Sequence, residues 1–194
     1  MKQEGYDLLY LDPNTHHGQF NRVPNYSKSF EYGKFSHGLP HLQLLLGFNP
    51  ESWLDVGCGY NTLIKEVREK YVKDSWGIDF ACPEADQVCD VLDLPFFDKR
   101  WDLVTAFDVM EHIYPDDVDK ALQEMRRVSK RFAFTICYQK AQLEHNGLNA
   151  HATIMSREDW YKKIGENGGN IIGIENSKFR SSHRSNEFIS GEWR

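Results

Sequence analysis

The hydrophobic pattern from residue 52 onward alternates between short apolar runs and longer segments whose apolar residues recur at helical spacing. Short apolar runs are typical of buried strands, and a period of about 3.6 residues predicts amphipathic helices. The pattern predicts seven strands, at residues 52–56, 75–79, 87–89, 101–107, 131–138, 170–175 and 186–193. It predicts helices at residues 39–46, 61–71, 118–128 and 156–166.

The order of these elements predicts the fold class. Strands that alternate with helices indicate an α/β fold, here a Rossmann-like, doubly wound sheet that is mostly parallel. The last two predicted strands have no helix between them, so we expect a C-terminal hairpin with one antiparallel strand. We therefore expect a single domain over residues 1–194, with a seven-stranded sheet in a core at residues 48–194. Residues 1–47 begin with an aromatic-rich, aperiodic segment and are expected to cap this core as a lid.

One connection is unusually short. Only ten residues separate Asp79 from Asp90, which lie at the ends of the second and third apolar runs. A crossover between parallel strands needs about a dozen residues or more, usually including a helix. The helix after the second strand is therefore expected to be reduced to a turn around Pro83-Glu84, which leaves that part of the sheet thinly covered.

Composition narrows the function classes. The 194 residues carry a net charge of −6 without a clear basic footprint, which argues against a nucleic-acid partner. The four cysteines have neither CxxC nor zinc-site spacing, so we predict free thiols and no metal site. The sequence shows no signal-peptide pattern and no apolar run of membrane-spanning length, which favours a cytoplasmic protein without a membrane partner. The oligomeric state is left open.

The first strand leads into a glycine-containing turn that points to a ligand. Trp53 to Val56 form an apolar run interrupted by Asp55, and Gly57 and Gly59 follow immediately. Glycine adopts positive φ at little cost and lets a ligand approach the backbone. A second acid, Asp79, lies twenty residues after Gly59, where a carboxylate can receive ribose hydroxyls in a nucleotide-binding α/β unit. These features predict an adenosine-containing cofactor.

The turn disfavours cofactors with phosphates. A nicotinamide dinucleotide fingerprint needs a third glycine, but Thr62 occupies that place and Tyr60-Asn61 would crowd a pyrophosphate. No lysine–hydroxyl pair follows the glycines, which excludes a P-loop. A nicotinamide oxidoreductase is thus a disfavoured alternative, and S-adenosylmethionine, which contains adenosine but no phosphate, fits the turn better.

Four motifs in register make the assignment more specific. They are Leu54–Gly59, Gly77–Asp79, Asp90–Phe96, and Trp101–Val104 continuing to Glu111–Ile113. In order and spacing they resemble the class I S-adenosylmethionine-dependent methyltransferases, in particular the small-molecule group. The resemblance covers roughly residues 50–135 and implies S-adenosylmethionine as cofactor and S-adenosylhomocysteine as product.

At the methionine end of the cofactor, the resemblance implies a role for the first turn. Asp55 and the backbone of Gly57, Cys58 and Gly59 would hold the methionine moiety. Phe107, the last residue of the fourth strand, would line the pocket near the sulfonium.

At the adenosine end, the resemblance implies four further contacts. Asp79 would bind the ribose hydroxyls, and Phe80 would pack on adenine. Asp90 would accept a hydrogen bond from the adenine amino group, and Val91 would offer a backbone contact. Asp55 and Asp79 also have a purely structural alternative, in which each only orders its turn.

The sequence gives less information about the methyl acceptor than about the cofactor. Methyl transfer to a hydroxyl or ammonium group needs a base, and histidine titrates near neutral pH. His145 and His151 in the linker after the fifth strand, and His112 beside Glu111, are weak candidates with structural roles as the alternative. Ala106–Val109 stand where amino-methylating nucleic-acid enzymes carry an Asn-Pro-Pro-Tyr signature. We therefore expect a small-molecule oxygen or nitrogen acceptor, with a protein side chain or non-catalytic cofactor binding as alternatives.

Overall fold

A computed structural model describes residues 36–80, 82–141, 144–145, 148–176 and 186–194. Most of the expected lid, residues 1–35, lies outside these ranges. A 3₁₀ turn at Leu39–His41 leads into α1 (Leu42–Leu46). The other helices are α2 (Thr62–Lys70), α3 (Val118–Val128) and α4 (Arg157–Glu166). The strands are β1 (Ser52–Val56), β2 (Asp74–Asp79), β3 (Gln87–Val88), β4 (Trp101–Phe107), β5 (Ser129–Cys137), β6 (Glu144–His145), β7 (Leu148–Asn149), β8 (Gly169–Asn176) and β9 (Asn186–Trp193).

Seven of these strands form one sheet, in the order β3-β2-β1-β4-β5-β9-β8. The pairs from β3 to β5 are parallel, whereas β9 runs antiparallel to both β5 and β8. This arrangement confirms the predicted Rossmann-like α/β fold with an antiparallel strand in a C-terminal hairpin. Strand order reverses between β1 and β4, and such switch points are where open α/β sheets bind ligands.

The connection from β2 to β3 contains a turn at Pro83-Glu84 and no helix among its described residues, as the chain length predicted. The cover of this edge is correspondingly thin. Trp76 on β2 and Val88 on β3 keep 40% and 53% of their surfaces exposed, respectively.

The linker after β5 differs from its prediction. It was expected to be a polar connection without strands, but β6 and β7 pair in it as a short antiparallel ladder. The two-residue strands are too short to produce a period-two pattern that sequence analysis could detect.

The two faces of the sheet are covered by different helices. Trp53, Leu103 and Ala133 point to one face, where they pack with α1 and α2. Their sequence neighbours Leu54 and Val104 point to the other face, against α3 and α4. The alternation follows from the two-residue period of a strand, and it gives the sheet a buried core on both sides.

Local backbone and side-chain interactions determine where α4 begins and where α2 ends. The Ser156 hydroxyl caps α4 by accepting a hydrogen bond from the Asp159 backbone N–H. The helix predicted at residues 61–71 includes Tyr71, but this side chain is 47% exposed. The reason is that α2 ends at Lys70, and Tyr71 at φ −131° no longer follows the helical repeat.

An ion pair within α3, between Glu124 and Arg127, holds the loop between β3 and β4 against this helix. Glu124 Oε2 accepts hydrogen bonds from Leu94 N at 2.9 Å and from Arg127 Nη2 at 2.7 Å. Arg127 in turn donates to the carbonyl oxygens of Leu94 at 2.8 Å and Phe96 at 2.6 Å. The Arg127 guanidinium lowers the pKa of Glu124 to about 2, against the opposing effect of burial.

We predict that Glu124→Gln lowers the free energy of unfolding at pH 7 by about 1–3 kcal/mol, because it removes the buried carboxylate from Arg127 and leaves only the exposed Asp98 as its anionic partner. A lowered folded-state pKa stabilises the fold above the ordinary carboxyl pKa and loses that effect as pH falls. The difference should therefore shrink between pH 7 and pH 3 in urea unfolding. Glu166→Gln, at an exposed pair with Lys162, is the control, and equal losses in both variants would contradict the clamp.

Candidate functional site

An open cleft of about 700 Å³ lies at the edge of the sheet where β1, β2 and β3 end. Its walls come from the loops that follow four parallel strands. The lining residues are Val56, Gly57, Ile78, Asp79, Phe80, Cys89, Asp90, Val91, Leu92, Val109, Ile113, Tyr114 and Asp117. The cleft thus combines five of the nine predicted cofactor-binding residues with others that follow β3 and β4.

The turn after β1 has the conformation that its glycines allow. Gly57 and Gly59 adopt φ of 69° and 52°, in the left-handed region. A Cβ on Gly57 would lie 2.4 Å from Val109 Cγ2, so this position is closed to any larger residue. A Cβ on Gly59 would meet nothing within 4 Å, so the turn faces open space there.

Asn61 completes the turn in an unexpected way. It too is left-handed, with φ of 61°, a conformation that asparagine tolerates better than most residues. Its buried side chain packs over β2, where a Cβ on Gly77 would lie 2.0 Å from Asn61 Oδ1. Sequence analysis noted Asn61 only as crowding a pyrophosphate and missed this pairing, which the adjacency of β1 and β2 creates.

Asp79 joins two turns across the cleft. Its Oδ2 accepts the Gly59 N–H at 3.0 Å, and its Oδ1 accepts the Cys82 N–H at 2.9 Å. The carboxylate therefore fixes the glycine turn relative to the turn that replaces the missing helix. Both the structural and the ligand-binding interpretations of Asp79 are compatible with this geometry, because each carboxylate oxygen can accept a further hydrogen bond.

Asp55 lies behind the turn, in the interior of the sheet. It is 4% exposed, and its Oδ1 accepts the Thr105 hydroxyl hydrogen at 2.6 Å. Burial raises the pKa of Asp55 to about 7; the Thr105 hydrogen bond opposes this rise and the nearby Asp79 charge adds to it. A cation bound at the turn would stabilise the ionised form of Asp55.

The opposite wall of the cleft comes from the residues after β2 and β3. Phe80, Asp90 and Val91 all line it. Asp90 Oδ1 accepts the Leu92 N–H at 2.9 Å, which orders the loop beyond β3. Sequence analysis missed Tyr114 and Asp117, although residues after β4 could have been included because parallel strand ends share one edge.

Four of the nine predicted cofactor-binding residues are not part of the cleft lining, namely Asp55, Cys58, Gly59 and Phe107. Phe107 is buried in the core beneath α1, where its ring is parallel to His41 with centroids 6.4 Å apart. A Cβ on Gly38 would lie 2.5 Å from the Phe107 ring. Cys58 is half-buried in the turn, and burial raises the pKa of its thiol.

The composition of the cleft lining fits S-adenosylmethionine. The lining contains three carboxylates, Asp79, Asp90 and Asp117, and no lysine or arginine. Carboxylates accept hydrogen bonds from hydroxyl and amino groups but repel phosphates. With the open space at Gly59, this chemistry suits an adenosine ligand without phosphates.

Two of the three histidines predicted as candidate bases, His112 and His151, lie together in the structure. His112, in the 3₁₀ turn Met110–His112, meets His151 edge to face with ring centroids 4.9 Å apart. Glu111 beside them is fully buried, and burial followed by the Asp108 charge raises its pKa well above the ordinary range. The side chain of His145 lies outside the described structure.

A buried ion pair connects the N-terminal region to this edge of the sheet. His37 Nδ1 contacts Asp108 Oδ2, and both side chains are 9% exposed. Asp108 follows β4 at φ of 53° and also accepts the Thr135 hydroxyl hydrogen at 2.8 Å. Burial alone would raise the pKa of Asp108, but the hydrogen bond and charge of His37 lower it. His37, which belongs to the predicted lid segment 1–47, is thus attached to the end of β4.

Comparison with protein families identifies the central part of the chain. Residues 54–137 match a family model described as a methyltransferase domain. An uncharacterized protein of Methanocaldococcus jannaschii is 35% identical over 82 residues, which are 40% of this chain and 35% of that protein's length. The match therefore spans about a third of that relative.

Solved structures share the fold over a longer range. Magnesium protoporphyrin IX methyltransferase from Synechocystis, with bound S-adenosylhomocysteine, has a TM-score of 0.67 and 13% identity, covering 100% of this chain and 99% of that chain. A Burkholderia thailandensis 1,6-didemethyltoxoflavin-N1-methyltransferase with its substrate and S-adenosylhomocysteine has a TM-score of 0.62 and 15% identity, covering 87% and 85%. In the described ranges of our chain, no helix has the length and apolarity needed to cross a membrane.

We predict that Asp55→Asn stabilises the ligand-free protein in a pH-dependent way. Because the folded-state pKa of Asp55 is raised, the folded protein holds this proton more tightly, and stability is lost as pH rises from about 4 to 7. Asparagine removes that penalty. The free energy of unfolding of Asp55→Asn, relative to that of wild type, should therefore increase by roughly 2–4 kcal/mol between about pH 4 and pH 8. Urea unfolding at the two pH values measures it.

Asp93→Asn, at an exposed position, is the control for this titration. If the difference in the free energy of unfolding between Asp55→Asn and wild type stayed constant with pH, Asp55 would already be ionised in the folded protein at the lower pH.

Proposed function

The chain carries a class I S-adenosylmethionine-dependent methyltransferase domain, and on that premise we propose that it methylates an oxygen or nitrogen of a small molecule. The family assignment confirms the resemblance that the four sequence motifs predicted. It also confirms S-adenosylmethionine as the cofactor of the family. The acceptor and the roles of individual residues belong to the proposal.

One observation carries the proposal for the site: two strand-end carboxylates border one cleft that begins at the glycine turn. Asp79 and Asp90 both line the cleft, and Gly59 opens onto free space. We assign the ribose hydroxyls to Asp79 and the adenine amino group to Asp90, with Phe80 and Val91 beside the base. The methionine end would lie toward Gly57, where an ammonium group would ionise Asp55.

When bound, S-adenosylmethionine supplies an activated methyl group, and the reaction is an in-line displacement. The chain's own contribution is to orient the reactants and exclude water. Two apolar residues of the segment after β4, Val109 and Ile113, line the cleft together with the predicted cofactor-binding residues. A hydroxyl or ammonium acceptor would also need a base, for which His112 and His151 are the described candidates.

Charge supports a small-molecule acceptor over a nucleic acid. The chain has a net charge of −6, and the cleft lining has no basic residue. Phosphate backbones are usually bound by lysine and arginine. The names of the two structural relatives describe methylation of a toxoflavin precursor and of a magnesium porphyrin, and both are small molecules.

The functional proposal is tested by a ligand panel followed by turnover. A ligand at about 100 times its dissociation constant should add about 2.7 kcal/mol of stability. We expect S-adenosylmethionine and S-adenosylhomocysteine to raise the melting temperature and NAD to leave it unchanged. Release of S-adenosylhomocysteine in the presence of a mixed set of small hydroxyl and amine compounds then tests transfer.

Three results would contradict the proposal in different ways. Stabilisation by NAD alone would indicate a dinucleotide enzyme. Cofactor binding without transfer to any compound would favour a non-catalytic binding module, and transfer only to added proteins would favour a protein side chain.

We predict that Asp79→Asn weakens S-adenosylmethionine binding at least tenfold, because an amide replaces one hydroxyl-accepting oxygen with a donor. Asparagine retains an oxygen for one of the two backbone N–H groups, so the fold should survive. Asp74→Asn, at the opposite end of the same strand, is the matched control. Isothermal titration calorimetry measures both, and equal affinities would remove Asp79 from the ribose site.

A further inference from the structure

Three potential metal ligands from separate parts of the chain meet near the ends of β4 and β5. Glu111 and His112 lie in the 3₁₀ turn after β4, and His151 lies beyond the β6–β7 hairpin. One ligand atom from each residue lies within 4.8 Å of the others. We propose that Glu111, His112 and His151 form a binding site for a divalent transition-metal ion.

The carboxylate gives the first argument for a ligand. Glu111 is 0% exposed, and its Oε1 accepts the Cys137 N–H at 3.1 Å. Its Oε2 is buried and has no hydrogen-bond partner within the described structure. A buried oxygen without a donor is costly, and such groups call for a specific explanation. A cation between this oxygen and the two imidazoles would supply the missing partner.

The histidines give a second, independent argument. His112 Nδ1 lies 2.8 Å from the Ala150 carbonyl oxygen, and His151 Nδ1 bonds the Gln139 carbonyl oxygen. Because a carbonyl only accepts, each neutral ring carries its hydrogen on Nδ1 and its lone pair on Nε2. Metal-binding histidines use this arrangement, in which a second hydrogen bond fixes the tautomer and orients the ring.

The surrounding backbone holds His151 in place. The Asn149 side chain bonds both the N–H and the carbonyl of Ala141, and its Oδ1 also accepts the His151 N–H at 3.0 Å. The Thr153 N–H donates to the Glu111 carbonyl at 2.9 Å. These bonds fasten the segment after the hairpin to the turn after β4, so the backbone that carries His151 is held beside the turn that carries Glu111 and His112.

The donor set indicates the class of metal. Two imidazoles and one carboxylate suit zinc, cobalt, manganese or iron(II), whereas magnesium prefers oxygen ligands. Three protein ligands leave at least one coordination position for water or another molecule. With the ion bound, both imidazoles act as ligands and no longer as candidate bases. The sequence predicts no metal site by local ligand spacing, because His151 lies 39 residues after His112.

The test uses the chelator-treated chain of residues 1–194, titrated with ZnCl₂ by calorimetry and with CoCl₂ by visible absorption. We expect one equivalent of each metal to bind and the cobalt spectrum to show nitrogen and oxygen ligation. Glu111→Gln keeps the acceptor for Cys137 and should weaken zinc binding at least tenfold, as should His151→Ala. Glu158→Gln, an exposed acid on α4, is the control and should bind like wild type.

Circular dichroism checks that each variant is folded, and the half-buried His151 keeps the test decisive if Glu111→Gln does not fold. Equal zinc affinities in wild type and His151→Ala would overturn the site, as would the absence of stoichiometric zinc and cobalt binding to wild type. Both readouts measure metal binding itself, so they are independent of methyl transfer.

Discussion

The position of the Asp79 carboxylate between two backbone turns is the constraint on which the site depends. Because this side chain accepts N–H groups from both Gly59 and Cys82, it fixes the glycine turn against the short connection to β3. A helix would normally cover this part of the sheet, and the seven residues between β2 and β3 leave no room for one. The carboxylate therefore joins the glycine turn to the connection after β2, which the Asp86 side chain also fastens to β2 by accepting the Gly77 N–H at 2.8 Å.

The carboxylates at the two ends of the cleft differ in their burial and in their hydrogen-bond partners. Asp79 and Asp90 are partly exposed and bond backbone N–H groups, whereas Asp55 is buried with the Thr105 hydroxyl as its partner. The raised pKa of Asp55 means that an anion at this position is costly without a cationic ligand. A cofactor with an ammonium group at one end and donor groups at the other matches this distribution.

The sequence predicted the central fold well because its elements are periodic and close together. The bounds of β1 and β4 match their predictions, and chain length alone predicted the turn at Pro83-Glu84. What could not be predicted depends on tertiary contacts or very short elements. The β6–β7 hairpin has two-residue strands, and the packing of Asn61 on Gly77 exists only when β1 and β2 pair.

The same limit applies to the functional residues. Motif matching located the loops that form the cleft, but it could not show that Phe107 packs beneath α1 or that His151 returns to Glu111. Both facts depend on contacts between residues that lie far apart in the sequence. Residue types predict local chemistry, whereas the sheet topology decides which of them meet.

A crystal structure of the protein with S-adenosylhomocysteine tests the account most directly. The account predicts density along the cleft, with the ribose hydroxyls within hydrogen-bond distance of Asp79 and the adenine between Phe80 and Asp90. A ligand bound elsewhere, or a ribose that makes no contact with Asp79, would contradict it.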